Sequence, residues 1–407
     1  MTDTVATPRD EKTILGHPRG LFILFFTEMW ERFSYYGMRG LLIIYLTQHF
    51  LFSDEKSSIM YGAYTALVYI MTIIGGTLAD RYLGQRKAVT FGAILLCLGH
   101  FGMAFEGNGS KEVMTINGAE YQITLNGRGS GKDINQIIVA PDGKSSNISF
   151  SDDAATIIID DAAAVGLPAT LDRASNPTKI VTEQTYLYIL YLSLALIIAG
   201  VGYLKANIST IVGALYGVGD IRRDSGFTIF YMGINLGSFL SILCGYLGIK
   251  YGWKYGFGLA GFGMLLGLLT FLKFQPWLEG KAEPPNPARL KEKFFGPINV
   301  EWACYLVGLI IIAVAMFFVM NPDGFGSVAL IAGIVMFLYL VIYAIVSLKG
   351  EERSRMFAAI YFVLAQIPFW ALFEQAGSSL NLFTDRLVDR TIGGWEVPAP
   401  IFQSLNA

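Results

Sequence analysis

Nine stretches of about 20 predominantly apolar residues divide this chain, at roughly 21–50, 58–79, 87–106, 185–213, 226–249, 255–274, 300–320, 327–348 and 357–382. Each is long enough to cross a bilayer as a helix. A chain built this way has few folds open to it, because a backbone inside lipid must satisfy its own hydrogen bonds. With 53% hydrophobic and 15% charged residues and a mean hydropathy of +0.49, it is too apolar for an ordinary soluble enzyme. The fold class expected is an all-α polytopic membrane protein.

The first stretch breaks the apolar rule in an ordered way. Glu28, Glu31, Arg32, Tyr35, Tyr36 and Arg39 fall at relative positions 0, 3, 4, 7, 8 and 11. At about 100° per residue, that spacing puts all six on one helix face. Four charges at mid-depth cannot face lipid, so they line a cavity or pair with one another. Lys205, alone in the fourth span, needs a carboxylate, and Glu28 and Glu31 are the candidates. Such a pair is either a proton switch or a static bridge. Glu374, in Trp370-Ala-Leu-Phe-Glu374-Gln375 of the ninth span, either takes a proton or an ammonium group or reaches out to the membrane edge. Tyr69, Asn235 and Trp370 are single polar or amphipathic side chains within apolar helices.

Sixteen Lys and Arg lie in one set of alternate connections and five in the other, the long insert aside. That asymmetry places residues 1–20 in the cytoplasm. The first 20 residues are polar, so the first span is expected to act as its own insertion signal. The insert at 107–184 then lies outside. Its turn signals Asn117-Gly118, Asn126-Gly127 and Pro141-Asp142-Gly143 separate short alternating runs, which reads as a small β-rich cap or a flexible spacer. Residues 21–274 form a six-helix bundle, 275–299 a proline-rich cytoplasmic linker, 300–348 two extra spans and 349–407 the start of a second bundle.

Other chemistry is scarce. Cys97, Cys244 and Cys304 sit in apolar blocks and read as core residues. No histidine pair has metal-ligand spacing and no phosphate loop is present, so no metal and no ATP-driven step is expected. The net charge of −2, without a basic cluster, gives no reason to expect nucleic acid. The spans hold no nucleophile–base pair, so the chain does not read as an enzyme. The turn Gly76-Thr-Leu-Ala-Asp80-Arg81-Tyr-Leu-Gly84-Gln-Arg86-Lys87 carries an acid and three bases, expected to latch neighbouring helices on the cytoplasmic side.

That turn resembles the loop between the second and third helices of the major facilitator superfamily. Glu28-Met-Trp-Glu31-Arg32-Phe33-Ser-Tyr35-Tyr36-Gly37 resembles the E-x-x-E-R-F-x-Y-Y-G signature of the proton-dependent oligopeptide transporter (POT) family. Phe227-Thr-Ile-Phe-Tyr231-Met-Gly-Ile-Asn235-Leu-Gly237, Trp370-Ala-Leu-Phe-Glu374-Gln375 and Phe402-Gln-Ser-Leu-Asn406 also fit that family. The resemblance implies proton-driven import of di- and tripeptides across a bacterial inner membrane, by alternating access between two six-helix bundles, with protons as the coupling ion. By the same resemblance Glu28, Glu31, Arg32, Lys205 and Glu374 couple protons. Arg39 and Lys205 receive the peptide carboxylate, and Tyr35, Tyr36, Tyr69, Asn235, Trp370, Glu374 and Asn406 line the pocket. Asp80, Arg81, Arg86 and Lys87 form the cytoplasmic gate. Two departures stand out. Gly62 occupies a position where animal members carry a histidine, and the chain ends where an eighth core helix is expected to start, so it reads as a piece of a longer transporter. The alternatives are a relative carrying another small solute such as nitrate, and a peptide receptor that binds without transporting.

Overall fold

The computed structural model describes residues 12–126 and 135–405. Nine long helices account for most of it: α1 (Arg19–Gln48), α2 (Asp54–Leu78), α3 (Gln85–Met103), α4 (Gln184–Leu215), α5 (Arg223–Tyr251), α6 (Trp253–Phe274), α7 (Val300–Met320), α8 (Pro322–Val346) and α9 (Gly350–Phe373). Two short ones follow, α10 (Ser379–Leu387) and α11 (Ala399–Ser404). Seven of the nine are long and apolar enough throughout to cross a membrane. The exceptions are α1, which carries the charged stripe, and α3, which opens on Gln85-Arg86-Lys87. Both pack inside the same bundle, α1 against α5 and α6 and α3 against α4.

Local sequence explains where the helices start. Ser53 caps α2 by accepting Lys56 N–H at 3.2 Å, ahead of Asp54 and Glu55 in the first turn. Asn299 caps α7 in the same way, accepting Trp302 N–H at 2.9 Å, and Pro322 stands at the first turn of α8. Two spans expected to be continuous are broken. α5 is interrupted at Ser241, whose hydroxyl donates to Ser238 O at 2.6 Å. The ninth stretch does not run to 382 as one helix. α9 contains Pro368, ends at Phe373, passes through a tight turn over Glu374–Gly377 and resumes as α10.

Residues 110–182 form a seven-stranded antiparallel sheet: β1 (Ser110–Ile116), β2 (Ala119–Leu125), β3 (Gln136–Val139), β4 (Ser145–Phe150), β5 (Thr156–Ile159), β6 (Thr170–Asp172) and β7 (Thr178–Thr182). The order is β6-β5-β4-β3-β2-β1-β7, so six strands meander and the seventh returns beside the first. Val113 faces Gln122 and Ile123 faces Ile138 across the ladder. Alternate residues (Met114, Tyr121, Ile123, Ile138, Ile148, Ile157) bury one face as a core separate from that of the helices. The sheet hangs from the ends of α1 and α3: Ser110 N–H donates to His49 O at 2.8 Å, and Lys254 N–H to the Glu106 carboxylate at 3.0 Å.

At the opposite end, the segment between α6 and α7 is seated on the α2–α3 turn. Arg86 N–H donates to Ala282 O at 2.9 Å, and its guanidinium grips both Glu283 oxygens at 2.6 and 2.9 Å. Gly84 there has φ +72°, and a Cβ on it would stand 2.5 Å from Pro284 N, so only glycine fits. Arg289 lies 4.9 Å over Tyr82, and Ala282 and Leu290 are buried. α7 is tied down as well, by Lys87 to Glu301 at 2.5 Å and Tyr203 OH to Cys304 O at 2.8 Å.

Candidate functional site

The stripe on α1 divides into two charged groups of different character. Glu28, Glu31 and Arg32 are 3%, 1% and 4% exposed, deep in the bundle formed by α1 to α6. Arg32 Nε lies 2.8 Å from Glu28 Oε1 and 2.7 Å from Glu31 Oε2. One guanidinium thus serves two carboxylates. Glu28 Oε2, Glu31 Oε1 and Arg32 Nη2 are buried without a hydrogen-bond partner. A buried triad with one negative charge in excess is costly unless a proton or another cation completes it.

Lys205 is not that cation in this arrangement. Among the described residues, no carboxylate lies within ion-pair distance of it. Its Nζ instead sits 4.2 Å over the Tyr69 ring. The pairing expected from sequence with Glu28 or Glu31 is therefore replaced: Arg32, four residues from Glu28 on the same helix, occupies both acids.

Arg39, two turns beyond Arg32, belongs to a second group. It forms an ion pair with Glu374 at the end of α9, and its Nε donates to the Tyr61 hydroxyl on α2. This joins three helices through one guanidinium. The turn at Glu374–Gly377 makes the approach possible. A Cβ on Gly377 would lie 1.7 Å from the Tyr61 hydroxyl and 3.2 Å from Arg39 Nε.

The Arg39–Glu374 pair stands between two cavities of about 570 Å³ each. One, between α2 and α9, is lined by Tyr61, Gly62, Thr65, Tyr69, Trp370 and Glu374. The other, between α1, α5 and the α10–α11 segment, is lined by Tyr36, Arg39, Tyr231, Asn235, Asn381 and Phe402, among others. Tyr69, Trp370 and Glu374 thus face one cavity, and Tyr36, Arg39 and Asn235 the other. Tyr35 lines neither; it is buried, with the Arg32 guanidinium 5.5 Å over its ring. Asn406 lies outside the described residues.

Sequence reasoning missed Tyr61, Tyr231 and Asn381. Tyr61, Thr65 and Tyr69 recur every four residues, the same signal that marked α1. It passed unread because tyrosine and threonine are common in membrane helices.

Beyond the ion pair, on the sheet-bearing side, the seam continues closed. Asn381 donates to Gly40 O at 2.9 Å, Gln48 to Asp385 at 3.0 Å, and Arg386 grips Asp54 at 2.6 and 2.9 Å. On the other side it is open. Among the described residues no hydrogen bond or ion pair joins 350–369 to α1–α6, and of α9 only Ile360 is buried.

The charged turn behaves differently from the expected latch between neighbouring helices. Arg86 and Lys87 bind Glu283 and Glu301, in the connecting segment and α7, while Asp80 accepts from Gln85 at 3.0 Å. Arg81 is exposed. The expectation placed these partners in the adjacent spans, because spacing along the chain does not reveal what docks on a turn. Among the described residues no group of three His, Cys, Asp or Glu could hold a metal ion.

Comparison with known proteins agrees with this geometry. The model of the POT family matches residues 86–407. An uncharacterized transporter of Bacillus subtilis (strain 168), YclF, is 34% identical over 406 residues, covering 97% of this chain and 66% of its own length. The peptide transporter YePEPT of Yersinia enterocolitica is 29% identical, again over 97% of this chain and 66% of its own. The chain thus spans just under two thirds of each of these relatives. A solved peptide transporter POT in complex with sulfate superposes with a TM-score of 0.67 at 32% identity, covering 97% of this chain and 67% of that one.

Proposed function

The chain belongs to the POT family, and we propose that it provides the proton-coupling centre and part of the peptide cavity of a symporter that imports di- and tripeptides. It is a membrane protein with the helical arrangement of the major facilitator fold. The observation that carries the proposal is the contrast along one face of α1: an under-neutralised acid pair followed by an ion pair that joins α1 and α2 to the end of α9.

We read the sheet-bearing side as periplasmic and the N-terminus as cytoplasmic, from the asymmetry of Lys and Arg. The seam is then closed outward and open inward. A proton on Glu374 weakens its hold on Arg39 and loosens the outward closure. The freed Arg39 and the carboxylate-free Lys205 can then meet a peptide carboxylate, in cavities whose walls include Tyr36, Tyr69, Asn235 and Trp370. Aromatic walls tolerate varied side chains, as a carrier of many peptides requires. A second proton site at Glu31 removes the excess charge around Arg32 and leaves the bundle neutral in both states. Asp80, Arg81, Arg86 and Lys87 belong to the cytoplasmic surface, where they hold the connecting segment.

The test is accumulation of labelled dialanine in liposomes carrying the protein, with and without an inward proton gradient. Gradient-driven accumulation is expected. Glu31→Gln is expected to abolish accumulation while leaving peptide exchange measurable. Normal accumulation by that variant would overturn the assignment of Glu31. Binding without accumulation by the unaltered protein would favour a receptor.

A further inference from the structure

α1 and α6 part on the N-terminal side of the bundle, away from both central cavities, and leave an apolar cavity of about 340 Å³. Phe22 and Phe26, one turn apart on α1, face Thr270 and Phe274, one turn apart on α6, with Ile14 and Trp277 closing the end. Phe26 is 45% exposed on this flank. A cavity whose walls offer one hydroxyl cannot hold ordered water, which needs two to four polar partners.

The mouth is cationic. The Arg19 guanidinium lies 4.8 Å over Trp277, and its Nε is buried without a hydrogen-bond partner. Lys273 Nζ lies 5.5 Å over Phe274, which is in ring contact with Trp277 at 4.9 Å. Among the described residues neither cation forms an ion pair. Across 12–23 and 270–281 there are four cations, Lys12, Arg19, Lys273 and Lys281, against one acid, Glu279. An apolar slot below a tryptophan with unpaired cations at its rim matches the order of groups in a lipid entering from the membrane interface.

We propose that this groove binds one phospholipid with an anionic headgroup, an acyl chain lying between α1 and α6 and the headgroup phosphate on Arg19 and Lys273. An anionic headgroup suits the rim, which offers no paired acid for a choline or ammonium group. The site shares no residue with the proton and peptide machinery, so it stands independently of what is transported.

Native mass spectrometry of the full chain in detergent, titrated with phosphatidylglycerol or phosphatidylcholine, tests it. Phosphatidylglycerol should be retained about fivefold better, the effect of roughly one interfacial cation. Arg19→Gln should erase that preference. Thr270→Trp, which fills the slot and keeps both cations, should lower retention of phosphatidylglycerol while inorganic phosphate fails to displace it. Equal retention of the two lipids, binding unaffected by Thr270→Trp, or displacement by inorganic phosphate would each overturn the proposal. Should Arg19→Gln fail to fold, judged by thermal melting, Thr270→Trp and the phosphate competition decide it alone.

Discussion

Two arginines on one face of α1, seven residues apart, hold acids in opposite ways. Arg32 sits inside a single bundle with two carboxylates and too few partners, and nothing around it bridges separate bodies. Arg39 holds one carboxylate and one phenol, and every group it touches belongs to a different helix. A sealed, under-neutralised cluster can change its proton count without changing shape. A bridging pair cannot lose its charge without releasing what it joins. The same residue types at the same spacing thus separate into a place to store charge and a place to convert it into movement.

Breaking each centre should distinguish them. The largest effect is expected from Arg32→Met, which leaves two buried carboxylates without their cation and costs about 3–5 kcal/mol. Thermal melting in detergent should show it, and Glu28→Gln and Glu31→Gln introduced together should restore most of the loss. Gly377→Ala comes next. Its methyl displaces the Tyr61 hydroxyl from Arg39 at a cost of about 1–3 kcal/mol, read from the same melts and from a weaker apparent affinity for dialanine.

Glu374→Gln should leave melting nearly unchanged but open the seam. A single cysteine at Thr384, in a background lacking the three native cysteines, should react about tenfold faster with an impermeant thiol reagent added from the sheet side. Unchanged labelling would remove the gate role from this pair. The smallest effect belongs to Arg386→Gln. The Arg386–Asp54 bridge lies on the same seam, but its side chains are 43% and 57% exposed, so the loss should stay below about 1 kcal/mol in melting and below about fivefold in the same labelling.

The stripe on α1 was readable because charge is rare in an apolar helix, and its periodicity alone set the six residues on one face. What periodicity lacks is the register between helices. It identified Lys205 as a buried cation but could not say that Arg32 already held both glutamates, or that Tyr69 lay under the ammonium group. The break after Phe373 was hidden for a related reason. Pro368 and Gly377 each permit a bend, but only the approach of Tyr61 and Arg39 shows why one is needed there. In the sheet, turn residues such as Asn117-Gly118 marked where strands reverse. The return of β7 to the far side of β1 is a non-local pairing with no local signature. Arg86 and Lys87 were conspicuous in the sequence, while their partners Glu283 and Glu301 lie nearly two hundred positions or more away.

The seating of the α6–α7 connection on the α2–α3 turn has a mechanical consequence. Its prolines suggest a slack tether, yet Arg86, Gly84 and Tyr82 fasten it along its length, and Lys87 and Tyr203 fasten α7 after it. The first six helices and α7 therefore travel as one load. Any swing of α9 relative to α1 has to be absorbed further along, at Asn321 between α7 and α8 or at Ser347–Lys349 before α9. α8 then acts as a connecting rod with a joint at each end, and its stiffness, more than the length of the proline-rich segment, sets how far the cavity can open.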